Sequence, residues 1–547
     1  MPGLLSWFRP EWEPPAPDAV WGDRPAIYEH VRRHIDPGRP GLAPGGEPLP
    51  DETERDSEIH WVPGGMDGSF GHHFGGDPDA NSDAADDIYA LLREALIRAD
   101  PARVRNLYSL LREENALDVV DPLLKRLRAD NSIHAGRLRM FAHWLATQAP
   151  DREPVKVGIA LLGLFSGGED RDLFLTLGRH EEFTLYAAVA LASALERPDE
   201  TLWELARNVS GWGRIQTVER LADTRDPRIR RWLLAEGYRN SIMLEYTACL
   251  CARAGNLKSR LDKDPPEEDV LAAAVDLVRA LAEGGPAEDM EDYEDGAAVT
   301  ARFLELMRAR AQTLDHFLAV DAVHRFLDAE DSDLSAREER GWTPQLARRL
   351  RRQCEEILGR PEWPARVREG LASDDDHAFS RAAQAARVLG IEVWDRYFER
   401  LQRGEACWYQ VMQTEDPERI ESVLAVGRER IDLESIATGP ADLLGLGPEH
   451  APHNHLDFIL QDLRRFPGQG WDFIRAGLRS PVVRNRNMAL NALSRWGREN
   501  WEPDTEMALR RGLREEPTAD VRERFERVLA GQPLDEPEID EEGEDEL

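Results

Sequence analysis

Histidine is the residue type whose placement departs most from an even scatter. Of the fourteen histidines, five precede Ser82 (His30, His34, His60, His72 and His73) and three crowd together as His450, His453 and His455. A neutral imidazole nitrogen ligates Zn or Fe, and Asp67, Asp77, Glu449 or Asp457 would add carboxylate oxygen to a mixed site. His60, His72, His73, His450, His453 and His455 are therefore the candidate metal ligands, contributed by the N-terminal segment or by that segment crossing onto the second cluster. Neither local pattern is a zincin helix: HVRRH from His30 lacks the Glu, and HEEFT from His180 lacks the second His. The competing reading makes these histidines loop and cap residues bonded to nearby backbone.

Other chemistry is easier to bound. The stretch GGMDGSFGHH, residues 64–73, offers backbone amides for an anion-holding nest, or a tight turn that plugs neighbouring helices. No lysine follows a glycine, so there is no Walker-type phosphate loop, and the G-x-S-x-G elbow is missing. No strand leads into G-x-G-x-x-G, which leaves a dinucleotide fold without support. Cys249 and Cys251 lie two apart on a helical pattern, about 200° around its axis, and read as small core residues rather than paired ligands. Catalytic residues stay unassigned.

The elements that would position these groups are helices. A chain of 547 residues is too long for one core, and its 32% charged residues with ample Leu and Ala suit many helices with one wet side. Residues 1–81 form an irregular, Pro/Gly/His-rich arm or cap. Helical pattern fills 82–282, an acidic loop 283–297 interrupts it, helices resume over 298–531, and 532–547 is an acidic tail of disordered type. The net charge of −35 disfavours general nucleic-acid binding and favours a basic partner. No apolar run reaches the ~18–20 residues of a membrane span, and the start lacks a secretory pattern, so the expected location is cytoplasmic. Oligomeric state is left open. Only four lysines occur beside abundant arginine, the mark of a GC-rich bacterial coding bias.

Internal repetition is the strongest organising signal. An Arg followed by a small or apolar residue three later and apolar residues six or seven later recurs at Arg139, Arg214, Arg486 and Arg522. The best copy lies in Trp471–Trp496, where Ser480 and Pro481 predict a cap and first turn for the second of two helices. With DPARVRNLYSLL from Asp100, SPVVRNRNMALNAL from Ser480 and PTADVRERFERVL from Pro517, the chain resembles the HEAT-repeat (armadillo-like) family. That resemblance implies an all-α, right-handed superhelical α-solenoid of degenerate helix pairs behind an irregular arm, acting as a protein-binding scaffold. The segments HWVPGGMDGSFGHH, GWGRIQTVERL and SPVVRNRNMAL are also similar to ones in bacterial HEAT-type proteins named limonene hydroxylase, which implies an oxygen-inserting enzyme using a reduced nicotinamide donor.

Two functions are thus expected. The first is a scaffold that binds a protein or peptide on its concave surface, with Arg214, Arg230, Arg484 and Arg486 as candidate contacts and no cofactor; Glu219 and Arg220 lie in the same segment as the first two. The second is a metal-dependent enzyme with Zn or Fe held by the two histidine clusters.

Overall fold

Three Asp-Pro pairs start helices. Asp100, Asp226 and Asp416 each cap a helix opened by the following proline, accepting the amide of Ala102, Arg228 and Glu418 at 3.0, 2.8 and 2.9 Å. The carboxylate satisfies one free first-turn N–H, and proline gives up a donor that had no partner. The computed structural model describes residues 12–52, 61–73, 82–329 and 334–534. Every regular element among them is helical, and the only strand-like pairings are the isolated bridges Ile35–Leu42 and Leu443–Val482. No described helix is long and apolar enough to cross a membrane.

Two compact units form among the described residues, one over 12–52, 61–73, 82–329 and 334–363 and one over 364–534. In the first, alternate helices pack in a row. Ala116–Ala129 lies on Arg152–Leu162, followed by Glu181–Ala194, Trp212–Glu219, Glu245–Gly255, Glu268–Glu283, Leu314–Asp328 and Pro344–Leu358, each against the one before. Gly158 and Gly163 permit the close approach: a Cβ on Gly158 would meet Ala146 N at 2.8 Å, and one on Gly163 would meet Ala190 Cα at 3.0 Å. The acidic loop lies inside this unit, where Met290 and Tyr293 are buried and Arg253 pairs with Glu288 and Glu294.

The described part of the arm is fastened onto the first helices. Trp21 packs at a tilt against Tyr108 and Trp144, each at 4.6 Å between ring centroids, and Arg24 makes a bidentate pair with Asp151 at 2.9 and 2.6 Å. His30 and His34 do share a face, 4.5 Å apart, and both bond backbone carbonyls: His30 Nε2 to Gly46 at 3.1 Å, His34 Nδ1 to His30 at 2.8 Å.

In the second unit, Ala451–Leu463 packs on Val483–Trp496, which packs on Ala519–Ala530. Their core is continuous from Trp394 through Leu460, Phe473 and Trp496 to Phe525. The helix after Ser480 starts later than its sequence predicts. Val482 is the N-cap, because Pro481 O accepts from Leu443 N at 3.3 Å and Val483 N donates to Leu443 O at 3.0 Å. That bridge holds Pro481 and Val482 extended, and the Ser480 hydroxyl accepts the Val482 amide instead of a helical one. Cys249 and Cys251 are buried free thiols, and burial pushes Cys249 up to about 12.

Candidate functional site

The residues best placed to hold the arm, and to shape what lies beside it, surround Lys156. Its side chain is only 2% exposed, yet it carries an ammonium 2.8 Å from Glu182 Oε1, 2.9 Å from Asp67 Oδ2 and 3.2 Å from Glu153 Oε1. Asp67 comes from the Gly65–His73 helix of the arm; Glu182 and Glu153 lie in the first turns of Glu181–Ala194 and Arg152–Leu162, where the helix dipole favours carboxylates. Next to it, Arg152 binds Asp51 through Nε and Nη2 at 3.0 Å each and also contacts Glu52. The excess of carboxylates is offset by backbone donors: Gly64 N to Glu182 at 3.0 Å, Ala116 N to Glu153 at 2.9 Å and Arg152 N to Asp51 at 3.0 Å. Gly68 lets the arm seat here, since a Cβ would come within 2.3 Å of the Trp212 ring. The glycine-rich stretch is thus a plug whose amide serves a protein carboxylate.

Lys156 is no nucleophile. Burial alone would lower its pKa, but Glu182, Glu153 and Asp67 hold it well above the ordinary lysine value, so it stays charged. Burial likewise pushes Glu182 up, and the charges of Lys156 and Arg152 more than reverse this, leaving it at about 2. A lowered folded-state pKa contributes stability that is fully present above the unfolded value of 4.5 and is lost as pH falls through about 2. Acidification across that window is expected to lower hydrogen-exchange protection, measured against the intrinsic rate at each pH, at Gly64 and Gly68, and Glu182→Gln to remove that acid-dependent step. His180 stays neutral at the edge of this cluster: it is buried, which lowers its pKa, and Nδ1 accepts from Glu182 N at 3.2 Å while Nε2–H donates to Glu47 O at 2.9 Å.

Beside the cluster, four of the stacked helices line a groove of about 650 Å³. Leu117, Val120 and Leu124 face it from Ala116–Ala129 at helical spacing, and Lys125 and Arg128 continue the same stripe. Ala160 and Gly163 form its floor with Leu185, Val189 and Ala190, and Arg220 closes the far side. The Tyr186 ring separates groove from cluster, its centroid 5.6 Å from Lys156 Nζ. Val189 is 41% exposed, high for a large apolar residue of this fold. The cations nearby differ in their pairing. Lys156, Lys258 and Lys263 are all ion-paired, the last two with Asp295 at 2.8 Å and Glu267 at 2.9 Å; Lys125 and Arg128 are exposed and pair with no described residue.

The residues singled out in the sequence are distributed as follows. His60 and the side chains of His72 and His73 lie outside the described residues. His450 and His453 are neighbours, 5.9 Å between rings, whereas His455 points to Trp408 at 5.7 Å. His453 is buried, which lowers its pKa, and its Nδ1 lies 3.1 Å from both Asn485 Oδ1 and Ser480 Oγ. Ser480 Oγ donates to Asn485 Oδ1 at 2.7 Å, and Asn485 Nδ2 reaches Asp457. This row has the residue types of a nucleophile array, but Ser480 is fully buried and occupied with the backbone, so its chemistry is structural. Among the described residues, no group of three His, Cys, Asp or Glu side chains has metal-holding geometry.

The four arginines all bond within the chain. Arg214 donates to the carbonyls of Val209, Glu236 and Arg239, and Arg230 to that of Ala254 at 2.6 Å. Arg484 pairs with Asp457, and Arg486 is fully buried against Glu516. Of Lys125, Arg128 and Lys156, which sequence reasoning missed, Lys156 carried a signal, as one of only four lysines and the one inside the apolar run PVKVGIALL.

No family model matches the chain, and no curated protein does. Among solved structures, the crystal structure of an engineered protein is similar at 15% identity, covering 82% of this chain and 98% of its own, with a TM-score of 0.20. A likeness that low carries no argument about fold or function.

Proposed function

We propose that the chain is a scaffold of α-solenoid type, whose row of alternate helices presents the groove to a segment of another protein. Helix-on-helix stacking in one row is what a solenoid of degenerate repeats requires, and such rows expose extended binding surfaces. The observation that carries the reading is the pairing of an open apolar floor with two cations, Lys125 and Arg128, that make no ion pair with any described residue. In a chain of net charge −35, free basic residues beside uncovered apolar surface are spent on something outside the fold.

The test places a photo-crosslinking residue at Val189 in the full-length chain, or at the exposed lining residue Ser193 where Val189 is itself substituted, with Glu305 as an exposed control position. Crosslinked partners are expected at Val189 and not at Glu305, and Val189→Arg is expected to cut their recovery at least about tenfold while stability stays within about 0.5 kcal/mol, as for a surface change. Equal recovery from both positions, or recovery indifferent to Val189→Arg, would sink the groove as a binding site.

A further inference from the structure

Resting on that reading, we infer that the groove's occupant is an acidic amphipathic segment of a partner protein: apolar side chains on one face, with Asp or Glu beyond them. The order of residues along one helix sets the order in the ligand. Leu117, Val120 and Leu124 are apolar, then Lys125 and Arg128 are basic, and the stripe from Leu117 to Arg128 spans roughly 16 Å at 1.5 Å per residue. A partner segment of about eleven helical residues matches that length, with anchors toward one end and carboxylates toward the other.

Charge selects the acidic class. Across the groove from Lys125 and Arg128 stands half-buried Arg220, whose Nη1 donates to Gln216 O at 2.6 Å and Gln216 Oε1 at 3.2 Å; Glu219 approaches only to 3.9 Å. Burial pushes the Arg220 pKa down, the mark of a cation short of compensation. Asp121 is the one acidic side chain in the lining. A basic segment would set like charges against three cations in a confined space. The chain's overall charge favours basic partners at long range, but within a Debye length of about 8 Å the local cations decide. Nucleic acid is disfavoured because the floor is apolar and the field beyond the rim repels phosphate.

Three labelled fifteen-residue peptides in fluorescence anisotropy with the full chain decide the matter. One has Leu at i, i+3 and i+7 followed by Glu; the second has Lys for Glu; the third keeps Glu but replaces each Leu by Ser. The first is expected to bind at least tenfold tighter than the others, to lose at least tenfold on Lys125→Glu with Arg128→Glu, and to be excluded by Val189→Arg. The Lys peptide is expected to gain on the charge-reversed variant. Equal binding of the first two peptides, or binding of the first that ignores the charge reversal, overturns the acidic class. Binding of dodecanoate with none of the peptides would assign the groove to a small organic anion, and acidic binding seen only after residues 535–547 are removed would assign it to the chain's own tail; either overturns the inference. If Val189 crosslinks a partner while the acidic peptide fails, the scaffold stands without this ligand class. If neither occurs, both fall.

Discussion

Lys156→Met is expected to cost about 3–5 kcal/mol, the range for removing one member of a buried ion pair. The cost comes from what stays behind rather than from the lost ammonium. Glu182, Glu153 and Asp67 would remain gathered around an apolar methionine, and Asp67 is itself only 3% exposed. Such carboxylates must either take up protons at neutral pH or push the arm away. The expected signature is therefore local as well as global: a lower denaturation midpoint by tryptophan fluorescence and faster hydrogen exchange across Gly64–Gly68, which Glu182 holds through Gly64 N. Adding Asp67→Asn and Glu182→Gln should restore more than half of the loss, because neutral amides tolerate the uncharged site. If the single variant costs under about 1 kcal/mol, or the triple variant is worse than the single, the cluster is not the electrostatic clamp its geometry indicates.

Helix starts were legible because their chemistry is local. The Asp-Pro pairs at Asp100, Asp226 and Asp416 form their caps with only the next two residues. Ser480 and Pro481 fail the same rule because a partner 38 residues earlier, Leu443, pairs with the backbone at Pro481 and Val483. The all-helical class was legible from apolar spacing. The role of Arg486 was harder to read: the spacing of Arg486, Ala489 and Leu493 puts all three on one buried face, and only Glu516, thirty residues on, makes burial of the guanidinium tolerable. The groove cations were hardest. Lys125 and Arg128 look ordinary in sequence, since what distinguishes them is the apolar groove they border, and that depends on where four separate helices meet.

Arg486→Ala is expected to be the costliest change in the second unit, again about 3–5 kcal/mol, and the reason differs from that at Lys156. Arg486 Nε and Nη2 grip Glu516 at 2.7 and 2.8 Å, while Nη1 supplies the carbonyls of Ser480 and Pro481 at 2.8 and 3.0 Å. Both side chains of the pair are fully buried. Truncating the arginine strands a carboxylate and two turn carbonyls at once; truncating Glu516 strands a guanidinium that still keeps its carbonyls. Arg486→Ala should therefore exceed Glu516→Ala, by about 1–3 kcal/mol for the unsatisfied carbonyls. A double-mutant cycle should show coupling of at least about 2 kcal/mol, since the second truncation removes the charge that the first left exposed to the core. Urea unfolding followed through Trp496 and Trp501, both packed into this core, reports each corner of the cycle. Additive losses would mean that water reaches the pair when one partner is gone, and that the turn after Ser480 is held by the Leu443 bridge rather than by the arginine.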